Sequence, residues 1–229
     1  MQRRSYLNAV AAIGIGSTAG CLSRVLEDRP ENVYLSPQED QIADSEDLAY
    51  PAYGEPFPEF ELPDPISGTT VSTGQLDRAA FVTAFFAFCP AECAILLRRL
   101  AEVQSRTIEA EIEDSVVFLP ITFDPERDDA AALEEHGSMV GVDFEAGNWH
   151  YLRPADHDEA KSIVEDRLGI GFKRTETSDR DVEGYDFTHS VITMLVNPDG
   201  VVERAYRGED PEVDRLVSDV EKVVELAAE

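Results

Sequence analysis

The chain has 229 residues, of which 43% are hydrophobic and 8% aromatic, so it can bury a real core; this excludes a disordered protein and fits one domain with an extra segment at an end. Its 47 Asp and Glu against 19 Lys and Arg leave a formal charge of −28, which excludes a nucleic-acid backbone and disfavours anionic lipid headgroups as partners. Lysine occurs only at Lys161, Lys173 and Lys222, and this carboxylate excess reads as adaptation to high salt, where screening tames self-repulsion, as in a halophile.

Residues 1–20 carry Arg3 and Arg4 and no acid, with a mildly apolar run over 6–20 and then Cys21. This is the layout of a secretory signal, and the run is too short and too rich in Gly, Ser and Thr for a spanning helix. Arg3-Arg4 before Ser5-Tyr6-Leu7 resembles a twin-arginine export signal. Thr18-Ala19-Gly20-Cys21 resembles a lipobox, in which Cys21 becomes the lipidated first residue, anchored at the outer face of the cytoplasmic membrane. Residues 21–55 are acidic, rich in Pro and Gln and without sustained periodicity, so a flexible tether is expected there, with short pieces such as Val33-Tyr34-Leu35 packing on the domain. The globular domain is expected over 56–229, beginning near Phe57.

From there strands and helices alternate. Phe60-Glu61-Leu62 and Thr70-Val71-Ser72, separated by Pro and Gly punctuation, predict a short hairpin. Residues 81–88 (FVTAFFAF) are nearly all apolar, as a strand buried on both faces should be. Pro90 then stands where a helix would start, and Cys93, Leu96, Leu97, Leu100 and Val103 recur at helical spacing. Residues 116–123 read as a second buried strand, and 128–139 and 156–168 as helices. Residues 191–196 and 201–205, joined by Asn197-Pro198-Asp199-Gly200, predict a second hairpin, and a closing helix starts at Pro211. This order predicts an α/β protein with a thioredoxin-like fold, a central mixed sheet flanked by helices.

With Cys21 assigned to the anchor, the remaining cysteines are Cys89 and Cys93, in Cys89-Pro90-Ala91-Glu92-Cys93 at a strand-to-helix corner. The four-residue step brings both sulfurs to one side if Cys89 caps the helix, and the helix N-terminus favours their thiolates. A plain structural disulfide more often joins separate elements. His189 precedes the strand over 191–196; in a thioredoxin-like fold that loop faces the cysteine corner, and redox enzymes normally carry Pro there. Two soft thiolates and one imidazole suit Cu(I), and hold Cu(II) with one added oxygen or nitrogen ligand. His136, His150 and His157 are read as surface residues.

Taken with the apolar strand before it, the Cys89 to Cys93 segment, Ile121-Thr122-Phe123-Asp124-Pro125-Glu126-Arg127-Asp128, and His189-Ser190 leading to Asn197-Pro198-Asp199-Gly200 resemble the Sco/SenC family. The resemblance covers roughly residues 55–228, with the three blocks in the family's order. It implies a membrane-tethered, thioredoxin-like copper protein that helps assemble the CuA centre of cytochrome c oxidase, with Cys89, Cys93 and His189 as copper ligands. Its partner would be subunit II of the oxidase, through the CuA domain, or a similar exported cuproprotein. Asp124 matches the family's Asp-Pro-Glu-Arg block, and its place at a strand end suggests either support behind the ligands or a turn or cap. The family often has Asp within the Cys pair and Pro after it, where this chain has Ala91, Glu92 and Ala94.

The competing reading is a thiol-disulfide oxidoreductase that uses Cys89 and Cys93 as a redox-active pair on an exported metalloprotein. Against it stand the three-residue spacer and the missing Pro before the strand. A thiol peroxidase lacks its Pro-x-x-x-Thr-x-x-Cys pattern around Cys89, and a metal-free interaction module leaves the Cys/Cys/His set unexplained.

Overall fold

A computed structural model describes residues 30–89, 91–176 and 185–229. The export signal, Cys21 and the helix-start reading of Pro90 lie outside the described residues.

The sheet is built on two wholly buried strands, β3 (Ala79–Phe85) and β4 (Val116–Thr122). β1 (Glu61–Pro63) and β2 (Thr70–Ser72) form the expected antiparallel hairpin ahead of them. β3 and β4 run parallel because helix α1 (Glu92–Glu109) carries the chain back between them. The strand expected over 81–88 closes at Phe85, since the chain turns at 86–89 and leaves Phe88 half exposed. α2 (Ala130–Val140) follows, with Asp129 accepting the Ala132 N–H as its cap. α3 (His157–Ala160) is a single turn that passes into a π-wound stretch over Lys161–Arg167, where the Leu168 N–H reaches back five residues to Ile163.

β5 (Phe172–Glu176) and β6 (Tyr185–His189) form an antiparallel hairpin that the sequence reading does not contain. β7 (Ile192–Val196) and β8 (Val202–Arg207) then join the main sheet, and α4 (Val213–Ala227) closes the chain. The strand order is β4-β3-β7-β8, with β7 antiparallel to both neighbours, so the expected mixed sheet is present. Residues 148–152 run beside β4 and extend it: Phe118 N–H donates to the Asn148 carbonyl and Leu152 N–H to that of Pro120. The core is aromatic along this line, with the rings of Phe81, Phe118 and Trp149 stacked at 5.4 and 5.3 Å.

The expected flexible tether is cut short, because residues 33–55 belong to the packed domain. Val33, Leu35, Ala52 and Tyr53 are buried. Glu203, itself fully buried on β8, accepts the N–H groups of Tyr34 and Leu35 at 2.7 and 2.9 Å and the Asn197 side-chain amide at 2.7 Å. Arg204 donates to the Ser36 carbonyl, and Gln38 accepts the Ala205 N–H. This strap therefore covers the outer edge of β8, which would otherwise offer unpaired backbone groups to another chain. Gly169 has φ +64° and lies so close to the Ala49 carbonyl that a Cβ would sit 1.7 Å from its oxygen, so only glycine lets the strap's return limb settle there.

Among the described residues no helix is long and apolar enough to cross a membrane.

Candidate metal centre

The site lies at the end of β3 where the chain turns into α1. The helix has no side-chain cap at its N-cap residue Ala91. Cys89 lies two residues earlier than the cap position expected for it, yet its sulfur takes over that function by accepting the Cys93 N–H at 3.3 Å. Cys93, one residue into the helix, faces the core and is 1% exposed; Cys89 is 9% exposed. Neither is in a disulfide.

His189 ends β6 and approaches from the opposite side. Its ring sits edge-on to Phe86 at 6.0 Å and tilted against Phe123 at 5.2 Å. With Nδ1 donating to the Ser190 carbonyl at 3.2 Å, Nε2 is left free to face Cys93 Sγ at 3.6 Å. The Cys89 and Cys93 sulfurs and a ring nitrogen of His189 all lie within 4.8 Å of one another. Topology thus brings together residues 96 positions apart in the chain.

The two thiols are unlike. The neighbouring Cys93 thiol, against the opposing effect of burial, and then His189 and the N–H groups of Cys93 and Ala91, bring the Cys89 thiol down to about 5. The same partnership works in reverse on Cys93, which the Cys89 thiolate and burial hold well above the usual thiol range. For His189, burial pulls toward the neutral ring, but the Cys89 thiolate and the Ser190 carbonyl outweigh it and its pKa is raised. A thiolate, a thiol and an imidazole in one half-buried corner form a soft donor set of the kind that selects monovalent copper.

Asp124 is buried but lies away from the three ligand atoms. It bonds Arg127 and accepts the Tyr185 hydroxyl at 2.7 Å, while its carbonyl takes the N–H groups of Arg127 and Asp128 in a tight turn. Tyr185 opens β6, the strand that His189 closes, so Asp124 is bonded to the same strand that carries His189. Tyr185 is further held between the guanidinium groups of Arg127 and Arg174, at 3.9 and 3.2 Å from its ring centre. Asp128, which the sequence reading named in the family block but gave no role at the site, is fully buried and accepts the Ala87 N–H at 3.0 Å and the Thr122 hydroxyl, fixing the turn that leads to Cys89. Burial, partly offset by those two donors, raises its carboxyl to about 7.

Two other histidines depart from the surface reading. His136 is buried 3% exposed, with Nδ1 3.1 Å from the Tyr151 hydroxyl and its ring beside Phe85. Its place three residues after Leu133 and four before Val140, both buried, is the sequence signal that marks an inward face. Burial lowers its pKa to about 4, so it is a neutral core residue. His150 is half-buried and pairs with Asp64 at 3.0 Å, and His157 is exposed as expected.

The pattern of the SCO1/SenC family matches residues 55–225. No curated protein gives a significant match. Among solved structures, a SCO1/SenC family lipoprotein from Bacillus anthracis aligns with a TM-score of 0.60 at 16% identity, over 77% of this chain and 96% of its own. ScoI of Bradyrhizobium japonicum with copper bound aligns at 0.60 and 20% identity, over 74% and 99%. BsSco, a member of the Sco family of cytochrome c oxidase assembly proteins in which a disulfide switch is identified, aligns at 0.59 and 20% identity, over 77% and 96%. These likenesses establish the thioredoxin-like fold.

Proposed function

Because the chain belongs to the SCO1/SenC family, we propose that it binds copper as cargo through Cys89, Cys93 and His189 and serves in assembly of cytochrome c oxidase. The observation that carries this reading is the clustering of two free thiols and an imidazole within 4.8 Å at the mouth of the sheet. Cys89 is a thiolate at neutral pH and needs no base to accept a soft metal. Cys93 gives up its proton only when a cation takes its place, so binding releases a proton and tightens as pH rises. His189 supplies the third donor from the end of β6, a different element from the turn and helix that carry the cysteines.

The recipient in this reading is the CuA domain of oxidase subunit II, or a similar exported cuproprotein. The setting is outside the cytoplasmic membrane, with Arg3 and Arg4 directing export and Cys21 lipidated as the anchor. The acidic composition fits work in concentrated salt. The test is anaerobic titration of the reduced protein with Cu(I) against a competing chelator. One copper per chain is expected, lost in Cys89→Ser and in Cys93→Ser and weakened in His189→Ala. Equal binding by the wild type and a Cys89→Ser, Cys93→Ser double variant would overturn the proposal.

One observation favours a second reading. A low-pKa thiolate beside a high-pKa buried thiol is the pairing of an attacking and a resolving cysteine. Cys89 would attack a target disulfide and release one target thiol. Cys93 would then attack the mixed disulfide, leaving a Cys89–Cys93 disulfide and a target reduced by two electrons. Full reduction of an oxidised CuA-type apoprotein by a chain that binds no copper would favour this reading.

A further inference from the structure

Glu92 stands between the two cysteines as the first residue of α1, exposed to solvent, with Oε2 3.7 Å from Cys89 Sγ. The other carboxylates near the corner are committed elsewhere. Asp124 holds Arg127 and Tyr185, Asp128 holds Thr122 and the Ala87 N–H, and Glu126 pairs with Arg174. Among the described residues Glu92 is thus the one carboxylate in contact with a sulfur of the trio and free of any cation.

We propose that Glu92 supplies the oxygen donor for oxidised copper and stands aside for the reduced ion, making it the residue that sets the site's preference between Cu(II) and Cu(I). The inference rests on the copper-binding reading above. Cu(I) is satisfied by two thiolates and one imidazole, whereas Cu(II) takes a fourth, harder ligand. Formal charge points the same way. Two thiolates and Cu(I) sum to −1, and two thiolates, one carboxylate and Cu(II) also sum to −1. Glu92 therefore lets the corner hold the same net charge in both oxidation states, and its exposed side chain can turn in or out without breaking a packed contact.

The full-length protein loaded with either ion tests this, using wild type, Glu92→Gln and Glu92→Ala. Neither change touches the core. Both variants should shift the electron paramagnetic resonance parameters and the thiolate-to-copper absorption of the Cu(II) form. They should weaken Cu(II) binding about tenfold while leaving Cu(I) affinity within about twofold, which raises the copper potential by about 59 mV for a one-electron couple. Cu(II) spectra and a Cu(II)-to-Cu(I) affinity ratio unchanged from wild type would overturn the assignment of Glu92 and leave the copper reading intact. A wild-type protein that binds neither ion would overturn both. Equal weakening of both oxidation states would mark Glu92 as a general electrostatic or structural contributor and likewise overturn the proposal.

Discussion

Glu203 and the Cys89, Cys93 and His189 corner lie at opposite ends of the sheet, and both bury polar atoms. Glu203 is fully answered, its carboxylate oxygens taking two backbone N–H groups and one side-chain amide. The cysteines and histidine answer chiefly one another, at sulfur distances of 3.3 and 3.6 Å, and the corner opens to solvent past Phe88 and Glu92. A buried carboxylate whose two oxygens take three donors from the chain around it holds structure together. A buried cluster whose donors have capacity left over is where a ligand can be exchanged.

The sharpest way to break this contrast is Glu203→Ala. It removes the acceptor of the Tyr34 and Leu35 N–H groups and of one Asn197 amide hydrogen, and should cost about 3 kcal/mol at roughly 1 kcal/mol for each lost hydrogen bond. Urea unfolding measures it, and folded protein should still bind one Cu(I). An unchanged midpoint would mean that the strap is held by something other than this carboxylate.

A smaller effect is expected at Asp124. Asp124→Asn weakens the hold on Arg127 and Tyr185, loosens the start of β6 and should lower Cu(I) affinity about fivefold through His189, with about 1 kcal/mol of stability lost. Chelator competition reads the first and denaturation the second. Full stability with full affinity would detach Asp124 from the site.

The third difference is one of pH. Cys89 is depressed to about 5, so its alkylation by iodoacetamide should rise through that pH while Cys93 stays unmodified. The linked stability has the sign of a depressed acid: complete above the ordinary thiol range, shrinking below it, and gone once pH falls through about 5. The stability gap between wild type and Cys89→Ser should close over that window. Peptide mapping that finds Cys93 modified first would reverse the assignment of the two thiols.

Much of the active end of the molecule is legible in the sequence, because β3 and β4 are buried on both faces and show as unbroken apolar runs. The Cys pair announces itself by spacing, and His189 by its place before a strand whose partner is fixed by topology. The strap shows only in part: Val33-Tyr34-Leu35 reads as a piece packed on the domain, but its hold on β8 is made by backbone N–H groups on Glu203, and a glutamate in Val202-Glu203-Arg204 reads as an outward-facing strand residue. The β5 and β6 hairpin is hidden for a related reason: Lys173, Arg174 and Glu176 lie on an exposed ribbon whose order comes from rings such as Phe172 and Phe187 packing on Phe123. His136 was legible from helical spacing, but a polar side chain on an apolar stripe needs a partner, and Tyr151 is fifteen residues away.

The strap also fixes a direction. Asn32 accepts from Asn197, just past the end of β7 that pairs with Ala80. From there to the Phe85 end of β3 is about 17 Å at roughly 3.3 Å per residue. A pull on the chain ahead of Pro30 is taken up by Asn197 and Glu203 and passes into β8, without crossing the turn that carries Cys89. If the proposed anchor at Cys21 holds the chain, the load enters the domain at this end of the sheet, while the corner with the cysteines and His189 lies at the other.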